Sequence, residues 1–273
     1  MWINHLVQVD LELPDRAGRF WMDTCAGRDQ VARAALAGGW RSFESPLPAL
    51  ITRWCSALKP VFTDIGANTG FYSLLAAASG AQFVHAFEPV EEIADVLNAN
   101  LLISELKAMA DVHRLALGKR SGDALLYFPE AGHGLIETSA SLNKDFRSRH
   151  SEQRIVQMET CDGYLLPKLP EPCRLLLKVD VETAEPDVLT GAEELIERFR
   201  PAVVCEILPS MDTGFYEEFM VSRNYSHYRL TASGWCQESE RISADTLALN
   251  HLFLPGDDRD AWIDVAGGEI GFR

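Results

Sequence analysis

The sequence predicts an α/β fold: a mainly parallel sheet with helices on both faces, preceded by an N-terminal cap. Three observations carry this expectation. From residue 61 onward, short apolar runs alternate with stretches of helical periodicity. The connections between most of these runs are short. Residues 1–59 do not share the rhythm, so they are expected to form a cap on a main domain spanning residues 60–273.

Residues 61–65 (VFTDI) form the first expected strand. Phe71, Leu74, Leu75 and Ala78 follow at helical spacing until Gly80 stops the helix. Residues 83–87 form the second strand. The helix after it, over about residues 90–106, places Ile93, Val96, Leu97, Leu101 and Leu102 on one face. Residues 112–117 form the third strand. The rhythm breaks over residues 120–170, where DALLYF and RIVQMET are β-pieces around the polar stretch GHGLIETSASLNKDFRSRH. It returns with a strand over residues 175–181. One amphipathic helix is then marked by Val188, Leu189, Ala192, Leu195, Ile196 and Phe199, with Pro186 suited to its first turn. A strand over 202–208, a helix over 215–224 and strands in HYRLT and ALNHLFL complete the series. Within the cap, a helix is expected around residues 30–37.

Composition narrows the function. Forty acidic against twenty-five basic residues give a net charge of −15, which repels polyanions and argues against a nucleic-acid partner. The six cysteines are scattered with no CxxC pair, and Cys55, Cys173 and Cys205 lie in or beside apolar runs. Reduced structural thiols in a cytoplasmic protein are the expectation. The N-terminus lacks the basic start of a signal peptide. Residues 65–87 carry no formal charge, but Asn68, Thr69, Ser73, Ser79, Gln82 and three glycines break the run, so no membrane span is expected.

In an open α/β sheet the ligand binds beyond the carboxyl ends of the strands, near the first strand-to-helix turn. Here that turn is Asp64-Ile-Gly66-Ala-Asn68-Thr-Gly70, which lacks the GxGxxG spacing of a dinucleotide site. Gly66 permits a tight turn and Gly70 a close backbone approach. Asp64, expected at the mouth, repels a pyrophosphate and attracts an ammonium or sulfonium group. Glu88 follows Gly70 by 18 residues, at the end of the second strand, where a carboxylate accepts hydrogen bonds from both hydroxyls of a ribose. A ribose joined to a cationic amino acid describes S-adenosylmethionine, the expected cofactor.

DIGANTGFYS, AFEP and LKVDVETAEPDVLTGA resemble the three signature blocks of the FkbM family of S-adenosylmethionine-dependent methyltransferases. GGWRSFESP, LALG and NHLFLP are similar to supporting blocks. The family's third block reads DVEGxE, and here Thr183 stands in place of the glycine. The resemblance implies a class I, Rossmann-like methyltransferase fold with a seven-stranded, mainly parallel sheet whose last strand is antiparallel. It also implies O-methylation of a hydroxyl on a sugar or secondary metabolite. Asp64, Gly66, Asn68, Gly70, Phe71, Glu88 and Leu117 are the expected cofactor-binding residues.

Lys178, Asp180 and Glu182 are the candidate catalytic residues, because strand alternation points all three the same way beside the expected methyl position. A general base among them contributes about 10²–10⁴-fold. The plainer reading is that Lys178 neutralises an acid and Glu185 steadies the next helix. Glu206 is a further pocket candidate. His85 and His113 read as core histidines, and His133, Ser139 and Ser141 as members of a surface loop. No histidine spacing resembles a metal site; Asp180 and Glu182 could bind a divalent ion with other oxygens, but no metal is expected. The expected partner is a small-molecule or glycan hydroxyl acceptor. Methylation of a protein or nucleic-acid amine is disfavoured by the acidic charge and by the lack of an Asn/Asp-Pro-Pro-Tyr/Phe block. A non-catalytic adenosine-binding domain is disfavoured by the intact Asp64, Gly66, Gly70 and Glu88.

Overall fold

Alternation of apolar and polar residues builds the first element. Val7, Val9 and Leu11 of strand β1 (Leu6–Glu12) are buried while Gln8, Asp10 and Glu12 face water, and β1 pairs antiparallel with β2 (Ala17–Asp23). Helix α1 (Gln30–Gly38) is capped by Asp29, whose side chain accepts from the Ala32 N–H at 3.0 Å. Helix α2 (Leu47–Leu58) follows. Sequence reading did not anticipate α2, although Leu47, Leu50, Ile51, Trp54 and Cys55 have the spacing of one buried helical face. The computed structural model describes residues 5–129, 140–144, 150–231, 233, 236–238, 241–267 and 271.

The main body then runs β3 (Val61–Ile65), α3 (Phe71–Ser79), β4 (Phe83–Phe87), α4 (Glu91–Ile103), β5 (Ala110–His113), β6 (Ala116–Leu117), β7 (Gly122–Pro129) and β8 (His150–Glu159). It continues with β9 (Leu175–Val179), α5 (Glu185–Thr190), α6 (Glu193–Phe199), β10 (Ala202–Glu206), α7 (Gly214–Met220), β11 (Tyr225–Leu230), β12 (Cys236–Glu238), β13 (Asn250–Pro255) and α8 (Arg259–Ala266). The main sheet has the order β12-β11-β13-β10-β9-β3-β4-β5. The strands from β10 to β5 are parallel and β13 is antiparallel to β10. This is the expected seven-stranded sheet with the three-residue β12 added at its edge.

Alternating side chains of the central strands fill two cores. Phe62, Val84, Leu176 and Val204 pack with Phe20, Trp54, Leu74 and Trp262, so the N-terminal segment and the sheet share one core. Val61, Leu175, Leu177 and Val203 pack on the other face with Val188, Leu195, Ile196 and Tyr216. Among the described residues, no helix is long and apolar enough to cross a membrane.

Three expected elements differ. The strand expected over 112–117 is split: β5 ends at His113, and Ala116–Leu117 joins β7 and β8 in a separate three-stranded sheet. The strand expected over 175–181 stops at Val179, because Glu182 and Thr183 adopt φ of 56° and 77° and turn the chain. The single helix expected after it is two helices. A Cβ at Gly191 would lie 2.1 Å from the Gly118 carbonyl oxygen, so the chain passes too close there for an ordinary side chain. The helix restarts where Asp162 accepts from the N–H groups of Glu194 and Leu195 at 3.0 and 2.8 Å. Asp162→Ala should therefore cost about 0.5–2 kcal/mol, the range for loss of a helix cap, read as a lower urea midpoint.

Candidate active site

The turn from β3 to α3 rests on two glycines. Gly66 has φ 83°, and its N–H and that of Ala67 donate to the Phe87 carbonyl at 3.1 and 2.9 Å. A Cβ on Gly66 would lie 1.8 Å from the Asp180 carbonyl oxygen, so the turn is pressed against the end of β9. Gly70 has φ 98°, and a Cβ there would meet the Leu97 side chain at 2.0 Å.

Glu88 ties this turn to β4. Its Oε2 accepts from the Asn68 N–H at 3.1 Å and its Oε1 from the Val90 N–H at 2.8 Å. Burial pushes its carboxyl up to about 7, against the pull of those two bonds. Each oxygen keeps a lone pair for a further donor.

Three clefts line up along the carboxyl edge of the sheet. The first has apolar walls from Ile93, Leu117, Leu126 and Leu142 and carries Gly66, Asn68, Glu88, Asp180 and Glu182. The second shares Gly66, Asn68, Asp180 and Glu182 with it and adds Gly70, Phe71, Tyr72, Lys178, Glu44 and Glu206. The third shares Glu44 and Glu206 with the second and is lined by Ser42, Ser45, Thr246 and Asn250. The first two fit the two ends of S-adenosylmethionine. An apolar cleft with an acid at its polar end suits an adenosine, and an acid-walled cleft suits a cationic amino acid.

Asp64 requires a correction. It lines none of these clefts. Its carboxylate is buried, accepts from the Ser73 hydroxyl at 2.7 Å, and leaves Oδ1 without a partner. Burial raises its carboxyl above the ordinary range, opposed chiefly by the nearby Lys178 ammonium. Asp180, Glu182, Glu44 and Glu206 instead supply the acids that face the second cleft.

Lys178 is a counter-ion. It is buried, pairs with Asp180 at 2.8 Å and stands 4.9 Å over the Tyr72 ring. Burial alone would depress its ammonium, but the carboxylates of Asp180, Asp64 and Glu44 outweigh that and hold it above the ordinary range. A lysine so held accepts no proton, which removes it from the candidate bases.

Asp180 and Glu182 do come together in the first and second clefts, but by the turn after β9 rather than by strand alternation. Thr183, a β-branched residue at φ 77°, costs about 1–3 kcal/mol where a glycine costs little. Asn143 offsets part of this by donating to the Thr183 hydroxyl at 2.9 Å. Ser141, expected on a surface loop, is buried and donates to the Glu182 carbonyl. His133 and Ser139 lie outside the described residues. Glu185 braces the same turn, its Oε1 accepting from the Val181 N–H at 2.8 Å.

Sequence reading missed Glu44 and Tyr72, whose side chains are joined by a 2.6 Å hydrogen bond from the phenol to the carboxylate. The signal was present, since Glu44 lies inside GGWRSFESP. His85 and His113 are core residues as expected. They are also paired with each other at 3.2 Å, and His113 with Tyr164 at 3.2 Å.

The sheet order and the donor clefts define the class: an S-adenosylmethionine-dependent methyltransferase. The model of the FkbM methyltransferase domain matches residues 64–228, and the chain belongs to that family. None of the curated proteins matches it. Among solved structures it is similar to the FkbM methyltransferase of Methylobacillus flagellatus, at 15% identity and TM-score 0.46 over 71% of this chain and 43% of that one. The chain thus spans less than half of that protein. An O-methyltransferase from Bacillus cereus in complex with SAH is similar at 12% identity and TM-score 0.46 over 84% and 89% of the two chains. The precorrin-6y C5,15-methyltransferase of Geobacter metallireducens is similar at 10% identity and TM-score 0.42 over 76% and 86%. All three lie below a TM-score of 0.5, so among the comparisons the family match alone assigns the chain.

Proposed function

We propose that this protein is a cytoplasmic O-methyltransferase whose acceptor is a hydroxyl of a sugar or another small metabolite. The observation that carries this reading is the third cleft. It opens beside the acid-walled second cleft and offers the hydroxyl and amide groups of Ser42, Ser45, Thr246 and Asn250 to a polyhydroxylated ligand. When bound, S-adenosylmethionine supplies a methyl group that its sulfonium already activates. The protein then has two tasks, to align an acceptor oxygen and to remove its proton. Alignment contributes about 7–11 kcal/mol and a base about 10²–10⁴-fold. With Lys178 held as an ammonium, Asp180 and Glu182 are the proton acceptors on this reading. The net charge of −15 supports an acceptor other than nucleic acid, and six free cysteines support a reducing compartment.

The acid walls also attract a protonated amine, so methylation of an amine is the second reading. Isotopically labelled methyl donor added to cell extract with the enzyme separates the two by mass spectrometry. Label in a methyl ether of a small molecule or glycan supports the proposal. Label on nitrogen of a protein or nucleic acid overturns it.

Glu88 gives the donor site a pH signature. Only its carboxylate form accepts from both ribose hydroxyls, so donor affinity should tighten as pH rises through about 7. Glu88→Gln should lose that dependence and bind about 10–150-fold more weakly at pH 8, the equivalent of about 1.5–3 kcal/mol. Glutamine is the more informative change, because its amide oxygen keeps one of the bonds from Asn68 and Val90, whereas alanine would release both. For folding the sign is opposite. The folded pKa lies above the ordinary 4.5, so this stability is present below that value and lost as pH rises toward about 7.

A further inference from the structure

Three carboxylates from separate elements converge beyond the ends of β9 and β10. Asp180 follows β9, Glu185 opens α5 and Glu206 ends β10, and one oxygen of each lies within 4.8 Å of the others. Among the described residues, the ion pair of this cluster is Lys178 with Asp180, and no lysine or arginine pairs with Glu185 or Glu206.

Crowded acids alone indicate nothing, but Glu185 is a separate observation. Its side chain is fully buried, its Oε1 is satisfied by the Val181 N–H, and its Oε2 is buried with no partner. A carboxylate oxygen kept from water and given no donor calls for a proton or a cation. The spacing suits a cation. Two oxygens on one ion lie at most about 4.8 Å apart for Ca²⁺ and about 4.2 Å for Mg²⁺, from metal–oxygen distances of about 2.4 and 2.1 Å. Three oxygens shared evenly by one ion lie at most about 4.2 Å apart for Ca²⁺ and about 3.6 Å for Mg²⁺, within reach of a modest closure of side chains already within 4.8 Å of one another.

We propose that Asp180, Glu185 and Glu206 form a site for a hard, oxygen-seeking divalent cation of the Mg²⁺, Mn²⁺ or Ca²⁺ kind. Sequence reading expected no metal, while noting that Asp180 and Glu182 could hold a divalent ion with other oxygens. Glu185 and Glu206 come from other elements, and no spacing announces that they join Asp180. Without an ion, burial and the neighbouring acids push the Glu185 and Glu206 carboxyls up to about 8 and about 10, so a bound dication takes the place of protons. Such an ion retains coordination positions for water or a hydroxyl oxygen, which it polarises. Glu206 lines both the second and the third cleft, so the ion would stand between donor and acceptor, and with Asp180 a ligand Glu182 is left as the proton acceptor.

Mn²⁺ is the probe. Chelator-stripped full-length protein should bind one Mn²⁺ per chain, measured by the spin-resonance signal of the free ion, and Ca²⁺ or Mg²⁺ should displace it. Glu206→Gln and Glu185→Gln should each weaken binding at least tenfold, and Glu206, half-buried, tolerates the change even if the Glu185 variant does not fold. Wild-type protein that binds no Mn²⁺ at 1 mM, or binds it equally well in the folded Glu206 variant, overturns the site. Titrating S-adenosylmethionine into the same samples keeps the two claims apart. Donor binding without Mn²⁺ binding removes the cation site and leaves the donor site standing.

Discussion

Gly66→Ala should abolish measurable donor binding and lower stability by about 3–5 kcal/mol, far more than one added methyl group ordinarily costs. The reason is local. The new Cβ would lie 1.8 Å from the Asp180 carbonyl oxygen and 2.9 Å from its carbon, and backbone has no rotamer with which to yield. Alanine at φ 83° adds strain of about 1–3 kcal/mol. Relief requires the turn to move away from β9, which breaks the bonds from Gly66 and Ala67 to Phe87 and displaces Asn68 from Glu88. A misplacement of about 1 Å in such a site costs on the order of 100-fold. Gly39→Ala is the matched control, since its φ is 78° and nothing lies within 4 Å of a Cβ there. It should show only the conformational strain and bind donor normally. Equal losses in the two variants would show that the close approach to β9 is not what the glycine serves.

Lys178→Met should be the other large loss. The methionine fills similar volume, but it leaves Asp64 and Asp180 without the cation they surround. Breaking a buried pair by removing one partner costs about 3–5 kcal/mol, or about 6–15 °C in Tm for a chain of this size. The deficit should depend on pH. Without the ammonium, the folded-state pKa of Asp64, already raised by burial, rises further above the unfolded one. Stability is then retained at low pH, where the carboxyl is protonated folded and unfolded, and lost progressively as pH rises through the folded value. The gap to wild type should be widest near pH 8 and small near pH 4. Adding Asp180→Asn should return part of the loss, with a coupling of about 0.5–3 kcal/mol. A gap that ignores pH would mean that Lys178 acts through packing alone.

The central strands were legible because both faces of the sheet are buried. VFTDI and FVHAF are apolar runs too short for helices, and both became strands with the expected bounds. Misreadings fell where a distant contact overrides local pattern. Nothing in VLTGAEELI announces that Gly118 will press on Gly191, or that Asp162 will cap a second helix there. The turn glycines and Glu88 were readable because they are close in sequence to the strands that place them. Asp64 misled because charge type was visible and direction was not. Its alternation points it beneath the turn, toward Ser73 and Lys178. Glu44 and Tyr72 lie 28 residues apart and meet only once the cap folds onto the sheet.

A calorimetric titration of the purified chain with S-adenosylmethionine, its demethylated product and NAD tests the central claim most directly. The account predicts one molecule of either methyl-donor form per chain, binding that tightens between pH 6 and 8, and no binding of NAD. The pH dependence should vanish in Glu88→Gln and the binding itself in Gly66→Ala. Tighter binding of NAD, or donor binding unchanged in both variants, would contradict a donor site built on this turn and this acid.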